Sequence, residues 1–350
     1  MADHAPTEAC RAACRAAIRT GSKSFHAASL LLPRKVRDPA IALYAFCRLA
    51  DDAVDLSNGK PKALARLRAR LDAAYAGRPY DDPADRCFAE MIERHGMPRA
   101  LPEALIEGFA WDAEARRYAT ISEVRAYGAR VAGAVGAMMT VLMGRRDEET
   151  MARACDLGVA MQLSNIARDV GEDAREGRLY LPLDWMRAQG IDPDDFLAEP
   201  RFSPELGAVV AGLLHEAEKL YDRAAIGVSG LPRGVRPSIR AARILYREIG
   251  REVARRGFDS VGGRAVVPGA RKRWLMLGAL TRYGDPAIGR GAPPLPETRY
   301  LVEAVSSAPL PATFVRPTVG DHIGRMAEII LAAHARQAPR GMETARTAGE

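Results

Sequence analysis

Two acidic clusters limit most strongly how this chain folds. Asp51-Asp52-Ala53-Val54-Asp55 and Asp169-Val170-Gly171-Glu172-Asp173 each place carboxylates three or four residues apart. Only a helix puts residues so spaced on one face. Traced backward, the first face continues through Arg48 and Tyr44, and the second through Asn165 and Gln162. Around the first stripe the helix is apolar, with Ile41, Ala42, Leu43, Phe46, Leu49 and Val54, so its polar groups are aimed inward. Like charges at these spacings repel by ~0.2–0.5 kcal/mol per pair on an exposed helix, and more when buried. Magnesium is the natural counter-charge. It takes oxygen ligands and typically uses one or two carboxylates plus substrate phosphates. A lone pair of acids four apart is an ordinary solvated surface; two such pairs, each continued by inward polar residues, suit ions held around one or two diphosphates.

The rest of the chain agrees with a helical frame. Ala, Leu, Arg and Glu dominate long stretches of a sequence that is 48% apolar, and these are strong helix formers. Convincing period-two alternation is absent, so the expected fold class is all-α. Helices are expected at roughly 8–19, 38–55, 61–76, 83–95, 101–115, 121–143, 147–176, 203–228, 235–256 and 269–281, with Asp38-Pro39 opening the second and Asp147 capping the seventh. Residues 178–200 look irregular. Residues 284–317 are rich in proline and look like a linker or extended surface segment, followed by a helix at 318–336 and a polar tail. The expected organisation is a catalytic domain over 1–283 and an appendage over 284–350 of unreadable role.

Charge and cysteine content narrow the partners. The net charge of +7 suits an anionic partner. The arginines are scattered without a basic block or interleaved aromatics, so nucleic acid is not expected. Five cysteines, an odd number without zinc spacing, point to a reduced cytoplasmic setting. A signal peptide is not evident, and the longest apolar run, 132–144, is too short to span a bilayer.

A diphosphate needs donors as well as metal. Ser22 and Ser24 flank Lys23 in a loop; Arg168 precedes Asp169; Arg178 and Tyr180 follow the second cluster; Arg48 lies one turn before the first. Arginine suits bidentate phosphate contact, and serine and lysine add donors. The run Tyr127-Gly128-Ala129-Arg130-Val131-Ala132-Gly133-Ala134-Val135-Gly136-Ala137 is rich in small residues. These either let helices approach closely or leave an apolar tunnel for a long hydrocarbon, and spacing alone leaves both open.

The run from Leu157 through Gln162, Asn165, Asp169 and Asp173 to Arg178-Leu179-Tyr180-Leu181-Pro182 closely resembles the signature of the squalene/phytoene synthase family, and 127–142 resembles its second signature. Ser22-Lys23-Ser24-Phe25 and the run from Tyr44 through Arg48 into the first acidic cluster match as well, so the likeness spans roughly 15–285. It implies an isoprenoid synthase helical fold with a central cavity. It implies that Asp51, Asp52, Asp55, Asp169 and Asp173, with Asn165, hold diphosphate through magnesium, manganese being the alternative ion. It places Gln162, Asn165, Arg48, Ser22 and Ser24, with Tyr44, Arg168, Arg178 and Tyr246, among substrate-binding positions. Tyr127, Arg168, Tyr180 and Tyr246 are implied to lie near the reacting ends, with Tyr127, Tyr180 and Arg48 joining Asp51, Asp55, Asp169 and Asp173 as the catalytic set. Gly21 departs from the family, where relatives often carry His.

The reaction so implied is the head-to-head joining of two prenyl diphosphates. An allylic cation forms as diphosphate leaves, a cyclopropyl intermediate follows, and a second ionisation gives the linear product. Overall likeness to bacterial members of the geranylgeranyl diphosphate branch, strongest over residues 20–55, implies that branch, whose product is phytoene and which needs no NADPH. The alternatives are a squalene or dehydrosqualene synthase using farnesyl diphosphate, and a non-catalytic assembly factor of the same family. A monomer is favoured. An apolar product predicts peripheral contact with the cytoplasmic membrane face, through Trp274-Leu275-Met276-Leu277 or the helix at 318–336, although core packing is the favoured reading of each.

Overall fold

The computed structural model describes residues 5–21, 29–30, 32–55, 60–281 and 291–309; the side chains of 50–55, 60, 280 and 281 lie outside that description. Among the described residues every regular element is helical. The helices are α1 (Glu8–Gly21), α2 (Arg34–Asp55), α3 (Lys60–Tyr75), α4 (Pro83–His95), α5 (Ala100–Ala113), α6 (Ile121–Gly128), α7 (Ala134–Leu142), α8 (Glu148–Arg175), α9 (Leu183–Ala188), α10 (Pro193–Ala198), α11 (Pro204–Gly227), α12 (Arg236–Arg255), α13 (Gly269–Thr281) and α14 (Arg299–Ser306).

The longest of these, α8, organises the rest. Asp147 opens it with extended backbone and a side chain that accepts from Thr150 N at 3.0 Å. Its 28 residues rise ~42 Å, and Met151, Cys155, Val159, Leu163, Ile166 and Val170 are buried turn after turn. α11 packs along most of it, with α7, α12 and α6 against its other sides. Such wide coverage leaves one polar stripe on α8, and that stripe carries the second acidic cluster.

Small residues set how close these helices come. A Cβ on Gly158 would collide with Ala132 O, and one on Gly136 with Ala154 O, so α8 lies backbone to backbone against the α6–α7 segment. That segment is not one α-helix, as expected over 121–143. A π turn, Ala129–Gly133, interrupts it where α5 crosses at Gly108. Both readings of the small-residue run hold: the glycines let backbones touch, while Val131, Val135 and Met139 between them line a cavity.

Three further expectations are corrected. α2 begins at Arg34, with the N–H groups of Val36 and Arg37 bonding to Pro33 O, and Pro39 lies inside it rather than at its start. Residues 178–200 hold two short helices, α9 and α10, the second capped by Asp192 with Pro193 at its first position. Residues 291–309, expected as linker, are docked on the helical body. Leu301, Val302 and Val305 of α14 are buried, and α14 packs on α8, α5 and α7. Arg223 donates to Pro293 O at 2.8 Å and Glu149 accepts from Gly291 N at 3.2 Å, which ties the preceding segment down. The prolines on either side hid a short apolar stripe at i, i+1 and i+4. The helix expected at 318–336 lies outside the described residues.

Candidate active site

Gln162, Asn165, Asp169 and Asp173 stand on one face of α8 as their spacing predicts, and all four are half-buried. Gln162 and Asn165 open onto an apolar cavity of about 350 Å³, with Tyr44 of α2 and Tyr246 of α12 on facing walls. Farther in, the walls are Val131, Val135, Met139, Leu157, Met161 and Ile239, and the end beyond them is marked by Thr150 and Arg153. From Asn165 to Arg153 is twelve residues, or ~18 Å along the helix axis. The site is thus a long apolar pocket with a polar, acidic mouth.

Two guanidinium groups meet Asp169. Arg168 donates from Nε to Oδ1 at 2.7 Å and from Nη2 to Oδ2. Arg264 Nε lies 2.9 Å from Oδ1, and its Nη1 lies 3.4 Å from Glu172. The delivery of Arg264 is built from sequence: Gly171 has no side chain, so the loop at Ser260 and Val261 lies flat on α8, where a Cβ would meet Val261 Cα at 2.7 Å. Gly171 N donates to Ser260 O at 3.0 Å, Ser260 Oγ to Ala167 O at 2.6 Å, and Arg175 Nη2 to Val261 O at 2.7 Å. Sequence reasoning missed Arg264, which sits in a loop where no periodicity flags it.

Asp173 is held differently. Burial first, then the charge of Asp169, pushes its carboxyl up to about 7, with Arg178 pulling the other way. A carboxyl lifted this far beside a second carboxylate is short of positive charge, which a divalent cation would supply. With Asp169 and Asn165 one and two turns earlier, this donor set of oxygens fits magnesium.

The remaining predicted residues fall into four groups. Arg168, Tyr246 and Tyr44 converge: the Tyr246 hydroxyl is pushed up by burial, with Arg168 and Tyr44 near enough to act on it. The family departure at Gly21 also lies here, since a Cβ there would strike the Tyr44 hydroxyl. Tyr127 and Tyr180 do not line the cavity; they are buried beside it, and both donate to Asp112, a residue sequence reasoning did not single out. Arg48 is exposed and lines a separate hollow of about 570 Å³ with Arg66 and Arg70, one helical turn from Tyr44 yet off the main cavity. Ser22 and Ser24, and the side chains of Asp51, Asp52 and Asp55, lie outside the described residues; the backbone of all three aspartates is in the last turns of α2.

The sequence over residues 18–271 matches the family model for squalene/phytoene synthase. A phytoene synthase of Rhodobacter capsulatus is 54% identical over 301 residues, covering 84% of this chain and 89% of that one. A 15-cis-phytoene synthase of a Paracoccus species is 43% identical over 269 residues, covering 74% and 87%. Among solved structures, a dehydrosqualene synthase in complex with ligand superposes with a TM-score of 0.73 at 30% identity, covering 78% of this chain and 96% of the other. With half-buried acids at the mouth of an apolar pocket and a family match over most of its length, the chain belongs to the squalene/phytoene synthase family.

Proposed function

We propose that this chain acts as a phytoene synthase: it joins two molecules of geranylgeranyl diphosphate head to head, through a cyclopropyl diphosphate, with release of both diphosphates. The observation that carries the reading is the acidic stripe of α8 at the mouth of a deep apolar cavity. Identity of 54% to a phytoene synthase, against 30% to a dehydrosqualene synthase, favours the longer substrate.

In this reading Asn165, Asp169 and Asp173, with Asp51, Asp52 and Asp55 from α2, hold magnesium or manganese. The bound ion supplies Lewis-acid charge stabilisation at the diphosphate. The chain's own groups do the rest. Arg168, Arg178 and Gln162 offer donors to the diphosphate oxygens, and Ser22, Ser24 and Arg48 are further donors carried over from the family. The apolar walls align the two hydrocarbon chains and keep water from the allylic cation. Ionisation and proton loss complete the reaction without a reductant, so NADPH has no role.

The test is incubation of the purified protein with magnesium and geranylgeranyl diphosphate, without NADPH, and analysis of the hydrocarbon extract. A forty-carbon product, absent with EDTA and in Asp169→Ala, is the expected result. Turnover of farnesyl diphosphate alone would move the chain to the thirty-carbon branch. Silence with both would leave a non-catalytic relative.

A further inference from the structure

Residues 264–277 carry exposed apolar side chains within a stretch of sequence that has basic residues and no acidic ones. Among the described residues six large apolar side chains are exposed, and three fall here: Val266 at 66%, Trp274 at 63% and Leu277 at 63%. α13 buries Leu275 and Ala279 and packs on α12, whereas Trp274 and Leu277, three residues apart, share its outward face. The core-packing reading of Trp274-Leu275-Met276-Leu277 therefore holds for Leu275 and fails for Trp274 and Leu277.

The charge within this stretch of sequence has one sign. Between Asp259 and Asp285 the sequence contains no acidic residue, but it contains Arg264, Arg271, Lys272, Arg273 and Arg282. Arg264 is committed to Asp169, and Arg271 to Glu248 at 3.1 Å. Arg271 also lies over the Trp274 ring at 5.3 Å, so the indole is both exposed and rimmed by cation. Arg273 is exposed and Lys272 half-buried beside it.

An exposed indole and leucine set among lysine and arginine, with Glu248, the acid that Arg271 meets, fully buried, matches the chemistry of a lipid headgroup boundary: an amphipathic ring at the interface, apolar tips beneath it and cations at the phosphates. A second copy of the chain fits worse. A symmetric pair would set Lys272 and Arg273 against their own counterparts with no carboxylate between them. We propose that residues 264–277 form a docking surface for a bilayer with anionic headgroups, with Val266, Trp274 and Leu277 entering the boundary and Lys272 and Arg273 meeting the phosphates. The inference does not depend on the catalytic reading. It places the bilayer one helix away from the substrate cavity, since Ile239, Ala242 and Tyr246 of α12 are cavity wall.

The full chain is tested by flotation with vesicles of phosphatidylcholine alone and of phosphatidylcholine with phosphatidylglycerol. Binding is expected to the mixed vesicles, weakening as salt rises. Trp274→Ala with Leu277→Ala removes two exposed side chains and should leave the helical circular dichroism unchanged. It should weaken vesicle binding by roughly a hundredfold, the scale of two such burials. Lys272→Glu with Arg273→Glu should remove the preference for anionic vesicles. No binding by the unaltered chain, or binding untouched by both double variants, overturns the proposal. So does a change in sedimentation from dimer to monomer in Trp274→Ala/Leu277→Ala with vesicle binding intact, which would assign the face to a second copy.

Discussion

The Tyr180 hydroxyl donates to Asp112 Oδ1 at 2.7 Å, and the other carboxylate oxygen accepts from Tyr127 at 3.0 Å. One carboxylate near the end of α5 thereby fixes two phenols that arrive from α6 and from the segment after α8. Their rings stack with centroids 5.0 Å apart, and Tyr118 packs against both. Burial, and then the charge of Asp112, pushes both hydroxyls well above the ordinary phenol range, so both remain protonated donors. Asp112→Ala leaves two buried hydroxyls without this acceptor and should cost ~1–3 kcal/mol for each. Urea unfolding checks that loss, and turnover should fall about tenfold or more as the rings lose their anchor. In Tyr127→Phe the further cost of Asp112→Ala should shrink; equal cost in both backgrounds would show that the bond contributes nothing.

The legible part of this site is the part with a helical period. Gln162, Asn165, Asp169 and Asp173 repeat at three and four along α8, and the structure puts them on one face. Asp112 and Arg264 are single residues whose partners lie far along the chain, at Tyr127, Tyr180 and Asp169. Such pairings follow from the crossing of elements, which no local pattern encodes. Arg48 shows how far a helical period carries. Its spacing from Tyr44 is helical, yet at 100° per residue a four-residue step drifts by ~40°, enough to take a long side chain off the cavity and into the hollow with Arg66 and Arg70. Of the two helix starts read from caps, Asp147 holds, while Asp38-Pro39 misleads because α2 begins about a turn earlier at Arg34. α14 was not legible, since eight residues among prolines carry too little period to register.

Pocket depth should set chain length. Ala154 lines the cavity eleven residues before Asn165, ~17 Å along α8 and close to the end at Thr150 and Arg153. Ala154→Phe fills that end and displaces the last isoprene unit of the longer substrate. At ~0.8 kcal/mol per buried carbon, five carbons are worth ~4 kcal/mol, or about a thousandfold in kcat/KM at most. Paired kinetics with geranylgeranyl and farnesyl diphosphate should show the longer substrate suffering far more. An equal loss for both would place the end of the bound chain elsewhere.

Arg70 and Asp85 form a buried pair whose halves cannot be removed singly. Arg70 Nε donates to Asp85 Oδ1 at 3.1 Å and its Nη2 lies 2.7 Å from Oδ2, with the Asp85 side chain fully enclosed. Burial pushes the Asp85 carboxyl up to about 6 even against the pull of Arg70. Arg70→Met strands that carboxylate and should destabilise the fold by ~3–5 kcal/mol. Arg70→Met with Asp85→Leu removes both charges and should recover most of the loss. Denaturant midpoints of the three proteins decide it, and a double variant no better than the single one would refute the account.

His95, the last residue of α4, predicts a pH dependence of known sign. Burial, with Arg94 and Arg146 nearby and only Glu90 opposing, pushes its imidazole down to about 4. The unfolded chain takes up this proton near pH 6.5, while the folded chain resists until about 4. Its contribution to stability is therefore complete above about pH 6.5, is lost as the pH falls toward about 4, and amounts to at most ~2–3 kcal/mol after allowing for solvent screening. Asp85 and Asp173, both pushed up, slope the opposite way as pH rises through their range, so the raw stability curve mixes the signs. The difference between the unaltered chain and His95→Gln isolates the imidazole. Thermal unfolding at about pH 7.5 and about pH 5 should show the unaltered chain losing more stability than His95→Gln on acidification. Equal losses would mean that the imidazole is hydrated and titrates alike in both states.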